Sequence, residues 1–102
     1  MAQYVRMLQS AIDPSDVEAV TQLFADDVVP AFRGIEGCLS MELLMSVESN
    51  AGGLIEGAAL SRWESREAME TGMASRTAAE AQVRIVELLR QEPVVRVFEV
   101  RE

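Results

Sequence analysis

Between Cys38 and Val47 the residues alternate with a period of two. Leu39, Met41, Leu43, Met45 and Val47 are all apolar, while Cys38, Ser40, Glu42, Leu44 and Ser46 are mixed. Successive side chains of a strand point to opposite faces, so this pattern predicts a strand with one face against a core. Ser49-Asn50-Ala51-Gly52-Gly53 follows, a run of residues suited to a reversal, and Leu54–Trp63 then reads as a second strand paired antiparallel with the first. A buried hairpin of this kind has to be covered by helices or by another sheet.

The flanking segments supply the helices. Val17, Val20, Phe24, Val28 and Ala31 or Phe32 recur at steps of three and four, which predicts a helix with one apolar stripe. Ser15-Asp16-Val17-Glu18 matches a capping box at its start, Pro30 should kink its last turn, and Gly34 suits a left-handed stop. A second helix is expected after Ser65, carrying Ala68, Met69 and Met73. Gly72 and Ser75 should break it before it resumes through Ala78, Ala81, Ile85, Leu88 and Leu89 to end at Pro93. Residues 3–10 and 94–100 read as the first and last strands. The order is βαββαβ, so the expected fold is α+β and ferredoxin-like, with a four-stranded antiparallel sheet. Residues 1–102 form one domain on this reading, because a second core would require roughly 50 more residues.

Helices cover only one face of such a sheet. The other would carry Leu44, Ala58 and Leu60, so a second sheet, from a second copy of the chain, is the expected cover.

Charge and composition narrow the chemistry. Seventeen acidic residues against nine basic ones leave a net charge of −8, which repels nucleic acid and anionic membrane alike. All nine basic residues are arginines, and the absence of His and Lys removes histidine bases, histidine metal ligands and lysine Schiff bases. Cys38 is the only cysteine, so neither an internal disulfide nor a multi-cysteine metal site is available. No signal-peptide pattern or membrane-length apolar run is present, and a cytoplasmic protein without metal or other cofactor is expected.

The stretch Ile35-Glu36-Gly37-Cys38-Leu39-Ser40-Met41-Glu42-Leu43, the hairpin, and Leu60-Ser61-Arg62-Trp63-Glu64-Ser65-Arg66-Glu67-Ala68-Met69 resemble the antibiotic biosynthesis monooxygenase domain family. The resemblance implies a dimeric α/β barrel with a ligand cavity between each subunit's sheet and helices. It also implies, for some members, oxidation of polycyclic phenols or quinols without metal or flavin, whereas relatives cleave haem. Trp63 matches the family's pocket tryptophan. Haem-cleaving relatives place a histidine on the following segment, where this chain has Gly72 and its neighbours, and oxygenase-type members place an asparagine on the strand where this chain has Ala58 and Ala59.

The candidate pocket is accordingly Trp63, Phe24, Met41, Met69 and Met73, with Met45 a further thioether that fits irregular apolar space. Tyr4 is a candidate for proton transfer with a phenolic substrate. Glu42 and Glu56, inside apolar strands, are candidates for a carboxylate of raised pKa, against the alternative that Arg62 or Arg96 pairs with them. Cys38 reads as a small buried residue. Three functions remain open: a cofactor-independent monooxygenase acting on a small planar aromatic or quinol-type compound; a non-catalytic, stress-related or ligand-binding dimer holding an apolar or aromatic molecule; and a domain whose output is self-association.

Overall fold

The computed structural model describes residues 2–101; Met1 and Glu102, part of the expected domain, lie outside the described residues. Strands β1 (Tyr4–Ile12), β2 (Cys38–Ser49), β3 (Ile55–Trp63) and β4 (Val94–Glu99) form one antiparallel sheet in the order β2-β3-β1-β4. The first helical layer runs from a 3-10 turn, Pro14–Asp16, through α1 (Val17–Leu23), a π-helical turn at Phe24–Val28 and α2 (Val29–Arg33). The second comprises α3 (Arg66–Met73) and α4 (Arg76–Val86). This is the ferredoxin-like α+β fold expected from the order of periodicities.

The hairpin closes as its composition requires. The Asn50 side-chain oxygen accepts from the backbone N–H of Gly52 and Leu54 at 2.9 and 3.0 Å, and Gly53 takes φ +78°, which L side chains rarely adopt. The expected break in the second helix is also present. Ser65 caps α3 through Ala68 N–H, and Ser75 caps α4 through Ala78 N–H.

The first helix departs from expectation at three points. Its cap is Asp13 rather than Ser15: the Asp13 carboxylate accepts from the Ser15 backbone N–H at 2.9 Å and from the Ser15 hydroxyl at 2.7 Å. Those two bonds hold the carboxyl below its ordinary pKa. The distortion tied to Pro30 lies in the preceding turn, where the backbone widens so that Val29 N–H bonds to Phe24 C=O. A proline two residues on, lacking an N–H and crowding the carbonyl four positions back, favours that wider turn. The widening also serves the core. Val20, Phe24, Val28 and Phe32 are spaced by four, which in an unbroken α-helix would drift by about 40° per step, yet all four are buried. Finally, Gly34 is right-handed at φ −81°, and the left-handed glycine is Gly37 at φ +85°.

Two smaller corrections concern element ends. α4 stops at Val86, with Leu88 and Leu89 in looser turns, so Pro93 is not its terminator. In β2 the register shifts between Cys38 and Ser40 and again between Met45 and Ser49, which leaves Leu39 and Val47 exposed while Met41, Leu43 and Met45 face the helices.

The register assigns the rest of the sheet. Leu8, Ala59 and Leu43 are aligned across three strands on the helix-facing side, with Arg6, Ser61 and Met41 one step along. The opposite face carries Met7, Leu60, Glu42, Leu44, Ala58 and Phe98, with Leu44 46% and Phe98 49% exposed. No helix of the described residues is long and apolar enough to cross a membrane.

Gly72 gives a direct test of the packing. A Cβ there would lie 2.4 Å from Trp63 Cζ3 and 2.9 Å from Ile35 Cγ2. Helix propensity alone favours Gly72→Ala by up to about 1 kcal/mol, but overpacking a filled core costs about 1–3 kcal/mol and should win. Urea unfolding should therefore show Gly72→Ala to be less stable than wild type.

Candidate functional site

Trp63 ends β3 with no exposed surface. Its ring meets Phe32 edge to face at a centroid distance of 6.4 Å, an arrangement worth about 0.5–1.5 kcal/mol beyond its burial. Its indole Nε1–H donates to Ser61 Oγ at 2.9 Å, and that hydroxyl reaches the Arg6 carbonyl at 3.5 Å. The ring is thus boxed by Gly72, Ile35 and Phe32, with its one polar atom satisfied.

The internal space lies elsewhere. A narrow, partly open cavity of about 30 Å³ sits between sheet and helices, walled by Leu8, Ile12, Phe24, Met45, Ile85 and Leu89 among others. It exists because β3 turns Gly57 and Ala59 toward the helices where larger side chains would close it, with the Ala58 backbone between them. Ser10 is the polar side chain on its wall, and its hydroxyl donates to the Gln91 carbonyl at 2.8 Å. A second bond, Arg90 N–H to Ala11 C=O at 2.8 Å, holds the same returning segment and with it Leu89 against the cavity's end.

Of the five side chains expected to line the pocket, Phe24 does so. Trp63, Met41 and Met69 are buried in the core and Met73 packs against it; Met45 is the methionine on the cavity wall. Tyr4 lies on the helix-facing side, opposite Trp63 in the register, and its hydroxyl donates to Glu99 Oε2 at 3.1 Å. Glu42 and Glu56 are exposed on the other face. Neither is in an ion pair with Arg62 or Arg96 among the described residues: Asn50 Nδ2 donates to Glu56 at 3.3 Å, and Arg62 donates to Gln3 at 3.0 Å. Cys38 is half-buried and burial pushes its thiol pKa up, the opposite of an activated nucleophile. Among the described residues no group of three or more His, Cys, Asp or Glu is arranged to hold a metal ion.

The cavity residues of β1, Leu8, Ser10 and Ile12, had no distinguishing signal in the sequence, since each is ordinary for a strand. The run Gly57-Ala58-Ala59 did carry one: small residues in the middle of a buried strand leave space.

The model of the antibiotic biosynthesis monooxygenase family matches residues 3–84. The chain belongs to that family. Solved structures agree in fold. The Rv0793 protein of Mycobacterium tuberculosis is similar at 22% identity and a TM-score of 0.69, over 98% of this chain and 96% of that one. A conserved protein of Methanosarcina mazei Go1 is similar at 16% identity and a TM-score of 0.77, over 96% and 92%. A structure described as an antibiotic biosynthesis monooxygenase is similar at 20% identity and a TM-score of 0.71, over 97% and 99%. No curated protein sequence matches this one. The matched family segment includes Trp63, Ser61 and the small-residue run of β3, whereas Leu89 and β4 lie beyond it.

The Trp63–Ser61 bond can be weighed by mutation. Ser61→Ala strands a buried indole N–H, which should cost about 1–3 kcal/mol. Urea unfolding followed by the fluorescence of this single tryptophan should report that loss.

Proposed function

We propose that this family member is a cofactor-independent monooxygenase-like protein acting on a small planar aromatic or quinol-type compound held between the sheet and the helices. The observation that carries the reading is the apolar cavity beside Gly57, Ala58 and Ala59 in a chain of this family. Its volume of about 30 Å³ is enough for water-sized molecules and far below the roughly 300 Å³ typical of ligand pockets. A ring system therefore enters only if the wall moves. Met45 and the Leu89 segment are the elements suited to that movement, since a thioether chain repacks readily and Leu89 lies outside regular structure.

In such chemistry the substrate supplies the electrons. A ring CH2 gives up a proton, the carbanion adds O2, and loss of water leaves a carbonyl, so that substrate and O2 become a quinone and H2O. Tyr4 and not Glu42 is the candidate we assign to proton transfer, because Tyr4 shares the helix-facing side of the sheet with the cavity. Its hydrogen-bonded partner Glu99 offers a carboxylate to take the proton onward.

One observation favours the non-catalytic alternative, namely that the polar side chain on the cavity wall, Ser10, is already bonded to Gln91. Oxygen uptake separates the two readings. Metal-free protein given a panel of anthrones and quinols should consume oxygen. Ala59→Leu, which fills the cavity, should abolish uptake while folding is retained, and Tyr4→Phe should lower it by about 10²-fold or more. Saturable ligand binding without oxygen uptake across the panel would leave the binder.

We propose further that a second copy covers the face bearing Leu44, Leu60, Met7 and Phe98, because such a patch is costly to leave in water. Sedimentation at micromolar concentration should give twice the 11.2 kDa chain mass, and Leu44→Asp should shift it to the monomer.

A further inference from the structure

Nine arginines stand against seventeen acidic residues, and most of the nine are accounted for on the surface. Arg66, Arg76, Arg84, Arg90 and Arg101 each lie within ion-pair distance of a carboxylate. Arg62 and Arg96 belong to the sheet face away from the helices, and Arg33 is exposed at the end of α2. Arg6 differs from all of these. It is the sheet arginine that faces the helices among the described residues, it is half-buried, and it is in no ion pair there.

Its surroundings are neutral. Gln82 of α4, with its amide oxygen turned toward the guanidinium, accepts from Nη1 at 3.3 Å and Nη2 at 3.0 Å. Ser61 and Val97 flank it in the register. The carboxylate on the same face of β4, Glu99, is engaged by the Tyr4 hydroxyl and by Arg101. Partial burial lowers the Arg6 pKa from its ordinary value, but an arginine starts high enough to keep its charge at neutral pH. A partly desolvated cation with a neutral amide for its side-chain partner is an arrangement that an anion would improve.

Its position relative to the cavity is equally specific. Leu8 of β1 and Ile85 of α4 line the cavity. Arg6 is the next residue on the same face of β1, about 7 Å along the strand, and Gln82 lies one turn back on α4. The Arg6–Gln82 pair is not on the cavity wall itself but stands just beyond Leu8 and Ile85 on the side that leads toward Tyr4, so a planar molecule extending from the cavity along β1 would meet Arg6 before it met Tyr4.

We infer that Arg6 is the anion-binding residue of this site: the ligand carries an ionised oxygen, a phenolate or a carboxylate, that displaces or joins Gln82 at the guanidinium while its rings occupy the cavity. The inference rests on the cavity being the ligand site, as proposed above. It resolves a conflict in the charge balance, since a chain of net charge −8 would otherwise repel such a ligand.

Two naphthalene probes of similar size test it, anionic 1-anilinonaphthalene-8-sulfonate and neutral N-phenyl-1-naphthylamine. Each is titrated by fluorescence into wild type, Arg6→Gln and Arg6→Lys. A charge-assisted hydrogen bond corresponds to roughly 10- to 100-fold in affinity. Arg6→Gln should lose that factor for the anionic probe and change the neutral one less than twofold, with Arg6→Lys between. Raising the salt concentration should weaken the anionic probe more in wild type than in Arg6→Gln, where only the net repulsion of the chain is left to be screened. Equal losses for both probes, or no loss for either, would show that Arg6 serves only packing and would overturn the inference while the cavity stands as a ligand site. Failure of wild type to bind both probes would overturn the two together.

Discussion

The placement of Trp63 governs much of the rest. Its ring occupies the space that an absent Cβ leaves at Gly72, lies edge-on to Phe32 and directs its N–H to Ser61 on its own strand. The end of β3 and α3, neighbours in sequence, are thereby held with the distant first helical run at one end of the sheet with almost no tolerance in volume. Because that end is filled, the imperfect packing collects at the other, where Gly57 and Ala59 present little side chain to Phe24, Ile85 and Leu89. The tight end and the loose end are two consequences of one distribution of large and small residues along β3.

Electrostatics follows the same division. Five arginines meet carboxylates at the surface, where an ion pair contributes little to stability. Arg6 is drawn under α4 by the alternation of β1, which cannot turn Leu8 toward the helices without turning Arg6 the same way. Its neutral partner, Gln82, follows from the helical repeat that puts Ile85 on the cavity wall.

The order of elements was legible because each had a periodic signature with its own stop signal, as in the Asn50 turn and the serine caps of α3 and α4. Less legible were features decided by competition between neighbours. Asp13 and Ser15 are both good caps, and the carboxylate prevails by accepting two bonds from its rival. Pro30 announces a distortion, but where the strain settles depends on keeping Val20, Phe24, Val28 and Phe32 on one face.

The candidate site divides in a similar way. Phe24 was visible as part of an apolar stripe, and Tyr4 as a lone phenol on a strand. That Trp63 is enclosed while the cavity opens beside Met45 could not be read from residue type, since both are apolar groups suited to either place. By itself the sequence determined the ferredoxin-like order, the absence of histidine and lysine chemistry, and a sheet helices could cover on one side only, because these depend on composition and on local periods of 2 and 3.6. Only the tertiary structure decided which end of the core is full and which is hollow, and that one arginine lies beside the hollow end, because volume and charge are balanced among residues brought together from β1, β3 and α4.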